Sequence, residues 1–408
     1  MTGEAPVRRA EIGRLQKKAE RQRIVDYRPD FELDVGAIDR LAEWSRSQAT
    51  RADVERALAT PRRDEQDLAA LLSPASLAQL ERVATASHRL TLRRFGRTMH
   101  LFAPLYLSSE CVSECTYCGF QVWNRDIVRR TLTPAEVATE VRYLKSLGFR
   151  HVLLVAGEHP KHVSADYVAA CVRAAAELVP NVSVEVQAWD EDTYRAFAGA
   201  GCDGLVVYQE TYDPRVYPEH HLKGNKRYFG WRLGAPERAG SARLRRIGLG
   251  SLIGLNPDWR FEVLALAAHA RYMIRHHWRS EITVALPRLE PAAGFEQPPT
   301  IMSDAEFALA TAALRLVLPD VGIVLSTREP QRLRDGLVRI GVTHMSAGSR
   351  TAPGGYTDPG PAEGQFEISD ERTPAEVAST LAAAGYEAVW KDSSPVFREG
   401  AQAANQRV

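Results

Sequence analysis

Leu107-Ser-Ser-Glu-Cys111-Val-Ser-Glu-Cys115-Thr-Tyr-Cys118-Gly-Phe120 decides how the rest of this chain is read. It sets Cys111, Cys115 and Cys118 in C-x3-C-x2-C spacing directly behind an apolar run, His100–Leu107, that reads as a strand. Three thiolates on one tight loop can hold three irons of a [4Fe–4S] cube and leave the fourth iron open to a small chelating ligand. A structural zinc site normally takes four ligands. The remaining cysteines are poor candidates for a fourth: Cys171 lies in an Ala-rich helical pattern and Cys202 in a Gly-Cys-Asp-Gly turn, settings for small buried residues. Five cysteines in 408 residues also argue against a disulfide framework. A non-catalytic zinc-binding protein stays open as the alternative from another class.

Outward from that loop, short apolar and β-branched runs alternate with amphipathic helical stretches. The expected strands are His100–Leu107, His151–Val155, Val182–Gln187, Gly204–Tyr208, Ile247–Leu255, Ile282–Leu286, Ile323–Ser326 and Val342–Ser346. Each is followed by helix-compatible sequence, the grammar of parallel β/α units. Eight units over about 250 residues fit a closed α/β barrel of the (β/α)8, TIM type. Helix starts are well marked: Thr133-Pro134-Ala135-Glu136 orders an N-cap, a first-turn proline and a capping-box glutamate, and Ser303–Glu306 and Thr373–Glu376 repeat the signal. Gly148 stands where a left-handed helix terminus is wanted.

The organisation expected is a helical N-terminal extension over 1–92, the barrel over 93–350 and a C-terminal extension over 351–408. Within the first, Asp67–Leu80 is the most apolar segment and should pack on the barrel. The last contains one more helix, a strand-like Glu387–Trp390 and a polar tail. Gly348–Tyr356 (GSRTAPGGY) has the composition of a mobile or ligand-facing loop.

Hydrophobic residues make up 45% of the chain, enough for a large core, and the net charge is +1, which favours neither nucleic acid nor an anionic membrane as a bulk partner. The N-terminus stays charged through Arg23 with no apolar signal core, and no stretch has eighteen consecutive apolar residues. A soluble cytoplasmic protein is expected, a compartment that keeps iron-binding thiols reduced.

In such a barrel chemistry collects at the carboxyl ends of the strands. The second strand ends in Ala156-Gly157-Glu158-His159, where a glycine permits close backbone approach and a glutamate offers acceptors to an ammonium group. The fourth ends in Tyr208-Gln209-Glu210-Thr211-Tyr212 and leads to Tyr217–Lys226 (YPEHHLKGNK). Adjacent His220 and His221 invite a metal reading, but sequence neighbours rarely point at one ion. Arg232 offers a guanidinium suited to a carboxylate. Arg328 leaves the seventh strand at the barrel mouth and needs an anion there, either a local carboxylate or one on the substrate. Glu329 is the local candidate, although its side chain should diverge from that of Arg328.

The cysteine spacing and its place after a first strand resemble the radical S-adenosylmethionine (SAM) superfamily, in which SAM chelates the open iron and is cleaved to a 5′-deoxyadenosyl radical. Longer strings are similar to one family, 2-iminoacetate synthase, the tyrosine lyase of bacterial thiamine thiazole biosynthesis. They are PLYLSSECVSECTYCGF, LLVAGEH, VEVQAW, VYQETYDPRVYPEHHLKGNK, IGLGSLIGL, LSTREP, SAGSRTAPGGY and GYEAVWKD, in family order from about residue 93 to 392.

The resemblance implies cleavage of the Cα–Cβ bond of L-tyrosine to 2-iminoacetate (dehydroglycine) and p-cresol, with SAM consumed to 5′-deoxyadenosine and methionine. By position it makes Cys111, Cys115 and Cys118 the ligands of a [4Fe–4S] cluster. Tyr117 and Phe120 would lie by the SAM adenine, Gly157 and Glu158 by its amino group, and Gln187, Glu210 and Arg232 by its ribose or carboxylate. Arg328 would hold the substrate carboxylate, with Ser346 and Tyr106 lining the same pocket. A thiazole synthase partner and a flavodoxin or ferredoxin electron donor also follow from the resemblance.

Two positions depart from the family pattern. Glu290 reverses a charge in Leu286-Pro-Arg-Leu-Glu-Pro291, and Ser393 stands where a tryptophan is expected after Asp392. They motivate a second reading, a radical lyase acting on tryptophan or another aromatic amino acid. No cysteine follows Cys202, so the C-terminal second cluster of the related hydrogenase-maturation tyrosine lyase is not expected.

Overall fold

Eight parallel strands close on themselves in the computed structural model, which describes residues 18, 19, 21–292 and 302–393. In chain order the barrel strands are Thr98–Ser108, His151–Ala156, Asn181–Glu185, Gly204–Glu210, Arg246–Ser251, Glu281–Ala285, Gly322–Leu325 and His344–Ser346. Closure is made by the first and last, in the register His100↔His344, Leu101↔Met345 and Phe102↔Ser346. All eight expected runs are strands, with ends displaced by a few residues. The largest displacement is in the fifth, whose ladder ends at Ser251, with Ile253 alone of the next four residues keeping a parallel bridge, to Arg288.

The helices start where the sequence marks them. At Thr133, Ser303 and Thr373 the capping box is complete in both directions, satisfying two otherwise orphaned backbone donors each time. Gly148 has φ +105° behind the first of these helices, a conformation that penalises any side chain with a Cβ.

The N-terminal helices cover one flank. Leu68–Leu72 are fully buried in the same core cluster as the helix Asp304–Val317, so the apolar 67–80 segment packs on the barrel as expected. The C-terminal strand Glu387–Val389 joins the barrel sheet itself. It pairs with Thr98–His100, upstream of the point where the second strand begins to pair at Ala103. Beyond it Asp392 reaches the floor of the barrel and pairs with Arg245 and, at 2.9 Å, Arg246. The extreme N-terminus read above for a signal peptide, and the polar tail after Ser393, lie outside the described residues.

Candidate active site

The cysteine loop is held by its backbone before any metal is considered. Arg129 donates to the carbonyls of Phe120 at 3.0 Å, Gln121 at 2.8 Å and Ser109 at 2.5 Å, gathering both ends of the loop. Glu114–Cys115 forms a short antiparallel pair with His221–Lys223. The loop therefore presents Cys111, Cys115 and Cys118 to one cavity at the carboxyl ends of the strands.

The thiols fit an iron–sulfur cluster. The backbone N–H groups of Ser113 and Glu158 each lie 3.4 Å from Cys111 Sγ, and the Gln365 amide donates to Cys118 Sγ at 3.4 Å. Burial pushes the Cys111 thiol up to about 11, with the nearby Glu158 and Cys118 adding to it. Bound metal is what ionises such a thiol outright. Cys171 lies buried in its helix, away from this cavity, and Cys202 is buried beside Gly204 with its Sγ 3.2 Å from that carbonyl.

Next to the thiols stands a buried array of two acids and two cations. Glu210 Oε1 accepts from Lys226 Nζ at 2.7 Å and Arg232 Nη2 at 3.2 Å. Arg232 Nη1 lies 3.5 Å from Glu158 Oε1, while Glu158 Oε2 accepts from Ser113 Oγ at 3.1 Å. Burial pushes the Glu210 carboxyl up, but Lys226 and Arg232 outweigh it and hold the group below its usual range. Glu210 takes φ +71°, costly for a residue with a Cβ and of the kind that collects at ligand sites. The strand is irregular between Tyr208 and Glu210, and the Glu210 carbonyl is fixed by Leu252 N at 2.8 Å and Ser251 Oγ at 2.9 Å.

Of the residues expected around SAM, Tyr117, Phe120, Gly157, Glu158, Glu210 and Arg232 line this cavity. Gln187 does not: its amide turns to the carbonyl of Val163 at 3.4 Å. Gly157 meets the cysteine loop rather than empty ligand space, since a Cβ there would fall 2.4 Å from the Glu110 carbonyl oxygen. The histidine pair diverges as anticipated: His220 bonds Thr116 Oγ1 at 2.8 Å, and His221 bonds the Tyr117 hydroxyl at 2.9 Å.

The expected substrate residues converge on the same cavity. Tyr106, Arg328 and Ser346 all line it, and Ser349 and Thr351 of the glycine-rich loop join them. Among the described residues the Arg328 guanidinium has no ion pair or hydrogen bond. It lies over the Phe366 ring, 3.3 Å from its centroid. Glu329 does diverge, and pairs instead with Arg288 through Nε at 3.0 Å. Ser346 Oγ accepts from Thr327 N at 3.2 Å, and the Tyr106 hydroxyl donates to Gln365 Oε1 at 2.9 Å.

Sequence reasoning missed Glu185, Gln365 and Phe366, all of which line the cavity. Glu185 carried a usable signal, a lone acid in the β-branched strand NVSVE. Gln365 and Phe366 sit in an aperiodic loop and carried none.

Comparison with known proteins accords with this geometry. Residues 105–267 match the Radical SAM superfamily and residues 285–387 the Biotin and Thiamin Synthesis associated domain. A crystal structure of HydG, a maturase of the [FeFe]-hydrogenase, superposes with a TM-score of 0.83 at 29% identity, covering 93% of this chain and 82% of that one. Methylornithine synthase (PylB) shares the fold, with a TM-score of 0.67 at 22% identity, covering 83% of this chain and 97% of its own. A (β/α)8 barrel with three convergent thiols behind its first strand is that of a radical SAM enzyme, which uses a [4Fe–4S] cluster and SAM.

Within that class the 2-iminoacetate synthases of Escherichia coli (strain K12) and Salmonella typhimurium (strain LT2) are each 43% identical to this chain over 343 residues, covering 84% of it and 91% of their own length. The chain belongs to the 2-iminoacetate synthase family. No helix among the described residues is long and apolar enough to cross a membrane.

Proposed function

We propose that this enzyme splits L-tyrosine at its Cα–Cβ bond into 2-iminoacetate and p-cresol, for the thiazole of thiamine, with SAM consumed to 5′-deoxyadenosine and methionine. When bound, the cluster and SAM supply a carbon-centred radical able to remove a hydrogen atom from the substrate amino group. The chain's own part is to bind, orient and exclude water. Cys111, Cys115 and Cys118 would hold the cluster, with Glu158, Glu210 and Arg232 around SAM. Arg328 carries the substrate reading: it is the cavity cation without an anionic partner among the described residues, and its fork suits a carboxylate. Anchoring the amino acid there puts its nitrogen at one repeatable distance from the radical, an effect that can reach about 7–11 kcal/mol.

Zinc held structurally does not account for membership of this family. Neither departure that raised tryptophan as a substrate lines the cavity, although Glu290 stands within the field of Arg328 and Glu329 at its rim. Glu290 is absent from its lining, and at the floor Ser393 Oγ accepts from Asn181 at 2.8 Å beside Asp392. We place the reaction in the cytosol, with a flavodoxin or ferredoxin as electron donor and a thiazole synthase as recipient of the unstable imine. Anaerobic incubation of reconstituted enzyme with SAM, reductant and tyrosine should release p-cresol and glyoxylate, the hydrolysis product of 2-iminoacetate. Intact tyrosine beside cleaved tryptophan would replace this reading.

A further inference from the structure

Four carboxylates line the cavity: Glu158, Glu185, Glu210 and Glu329. Three are engaged. Glu158 accepts from Ser113 and faces Arg232, Glu210 holds Lys226 and Arg232, and Glu329 holds Arg288. Glu185 has no hydrogen bond or ion pair to its side chain among the described residues. The cations divide the same way: Lys226 and Arg232 are paired, and Arg328 has no such partner among the described residues. Among the described residues the cavity therefore keeps one unpartnered acid and one unpartnered cation, at the ends of the third and seventh strands.

The two do not touch each other, since no N···O separation within 4.0 Å joins them, yet each lies within the other's field. An α-amino acid carries an anion and a cation on one carbon, and so complements such a gap. Ladder pairing Tyr106↔Val155 and Val155↔Glu185 puts Glu185 at the height of Tyr106, on the wall that faces the expected substrate.

We propose that Glu185 receives the α-amino group of the substrate and takes its proton, while Arg328 holds the carboxylate. The step balances as R–NH₃⁺ plus Glu–COO⁻ giving R–NH₂ plus Glu–COOH. A hydrogen atom is then removed from a neutral amine to give a neutral aminyl radical, where loss from an ammonium would leave the positive charge on an electron-deficient aminium radical. The carboxyl suits that exchange. Burial, then repulsion from Glu210, pushes it up to about 7 against the opposing pull of Arg328, Lys226 and Arg232. Tyr106 and Tyr208 are the other titratable groups facing it. This role rests on the amino-acid substrate proposed above, but not on its being tyrosine.

The test is calorimetric binding to the reconstituted enzyme with SAM and without reductant, so that nothing turns over. Three probes are compared: L-tyrosine, its desamino analogue 3-(4-hydroxyphenyl)propionate, and L-phenylalanine. Wild type should prefer tyrosine to the desamino analogue by ~10-fold or more, the affinity ratio that one added hydrogen bond supplies. Glu185→Gln should lose most of that preference while binding the desamino analogue as wild type does, and Glu185→Asp should fall between.

In wild type alone, tyrosine binding below pH 7 should release a proton that the desamino analogue does not, which keeps the idea testable if a variant loses its cluster. An unchanged amino preference in Glu185→Gln, or no excess proton release, overturns the assignment. So does selective loss of the tyrosine-over-phenylalanine preference, which would place Glu185 on the phenol. Tryptophan with indole-3-propionate provides the same comparison if tyrosine does not bind, which separates failure of this inference from failure of the tyrosine reading.

Discussion

Gly157 lies against the cysteine loop so closely that a Cβ on it would stand 2.4 Å from the carbonyl oxygen of Glu110 and 3.1 Å from Cys111 Cβ. Neither contact can yield cheaply, because one is backbone and the other belongs to a metal ligand. Gly157→Ala should therefore displace Cys111 and cut iron and sulfide per chain to well under half of wild type. The measurement is anaerobic iron and acid-labile sulfide analysis beside the thermal midpoint. Full cluster occupancy in the variant would mean that the loop has slack the geometry does not reveal.

Among the described residues Arg328 is held in place by Phe366 rather than by an anion. Arg328→Ala should keep the cluster and reduce kcat/KM for p-cresol by 100-fold or more, about 2.7 kcal/mol, within the range of a lost bidentate carboxylate contact. Arg328→Lys should recover little, because a point charge cannot reproduce the planar fork. Phe366→Ala should raise KM more than it lowers kcat, since it frees the guanidinium without deleting it. Wild-type kinetics in Arg328→Ala would remove this residue from substrate binding.

Much of this site was legible because its signals are local. The cysteine triad is set by spacing within eight residues, the strands by β-branched runs, and the helix starts by side chains that reach backbone three residues away. Gln187 was misplaced for an equally local reason. Period-two alternation puts Glu185 and Gln187 on one face, but the ladder stops at Glu185 and the chain turns before Gln187. Gln365 lies 247 residues from the thiol it bonds, in a loop without periodicity, so only closure of the fold brings them together. The pairing of Asp392 with Arg245 and Arg246 is likewise invisible until the last strand joins the first.

Buried histidines set an acid limit on stability, His151 and His269 among them. Burial lowers the His151 imidazole to about 3, with Arg246 acting in the same direction, and burial likewise lowers that of His269 to about 3. Above the ordinary value near 6.5 both are neutral in folded and unfolded chains alike. Below it the unfolded chain binds protons that the folded one refuses, so stability is lost as pH falls from about 6.5 toward 3. The limiting slope is about 1.4 kcal/mol per pH unit for each histidine. The thermal midpoint at one scan rate should fall between pH 7.5 and 5.5. In His269→Phe the ring can still stack on Phe31, 4.5 Å away, and Tyr212 loses a 3.0 Å partner. That variant should start lower at pH 7.5 yet lose less on acidification; an unchanged drop would clear His269 of any part.

Gln365 links the two halves of the site. Its Nε2 donates to Cys118 Sγ at 3.4 Å, its Oε1 accepts from the Tyr106 hydroxyl at 2.9 Å, and its carbonyl accepts from Gly119 N at 3.2 Å. An N–H···S bond withdraws charge from a thiolate and raises the potential of the cluster it serves. Because the backbone contact does not involve the side chain, Gln365→Leu should leave the loop in place and the cluster loaded. Its reduction potential should move negative, and Gln365→Glu, with an anion beside the thiolate, should move it further. Tyr106→Phe breaks the other end of the bridge, so it should alter the KM for tyrosine while leaving the potential near that of wild type. Redox titration followed by electron paramagnetic resonance would order the four proteins. Equal potentials in wild type and Gln365→Leu would mean that the amide does not bond the thiolate once iron is bound.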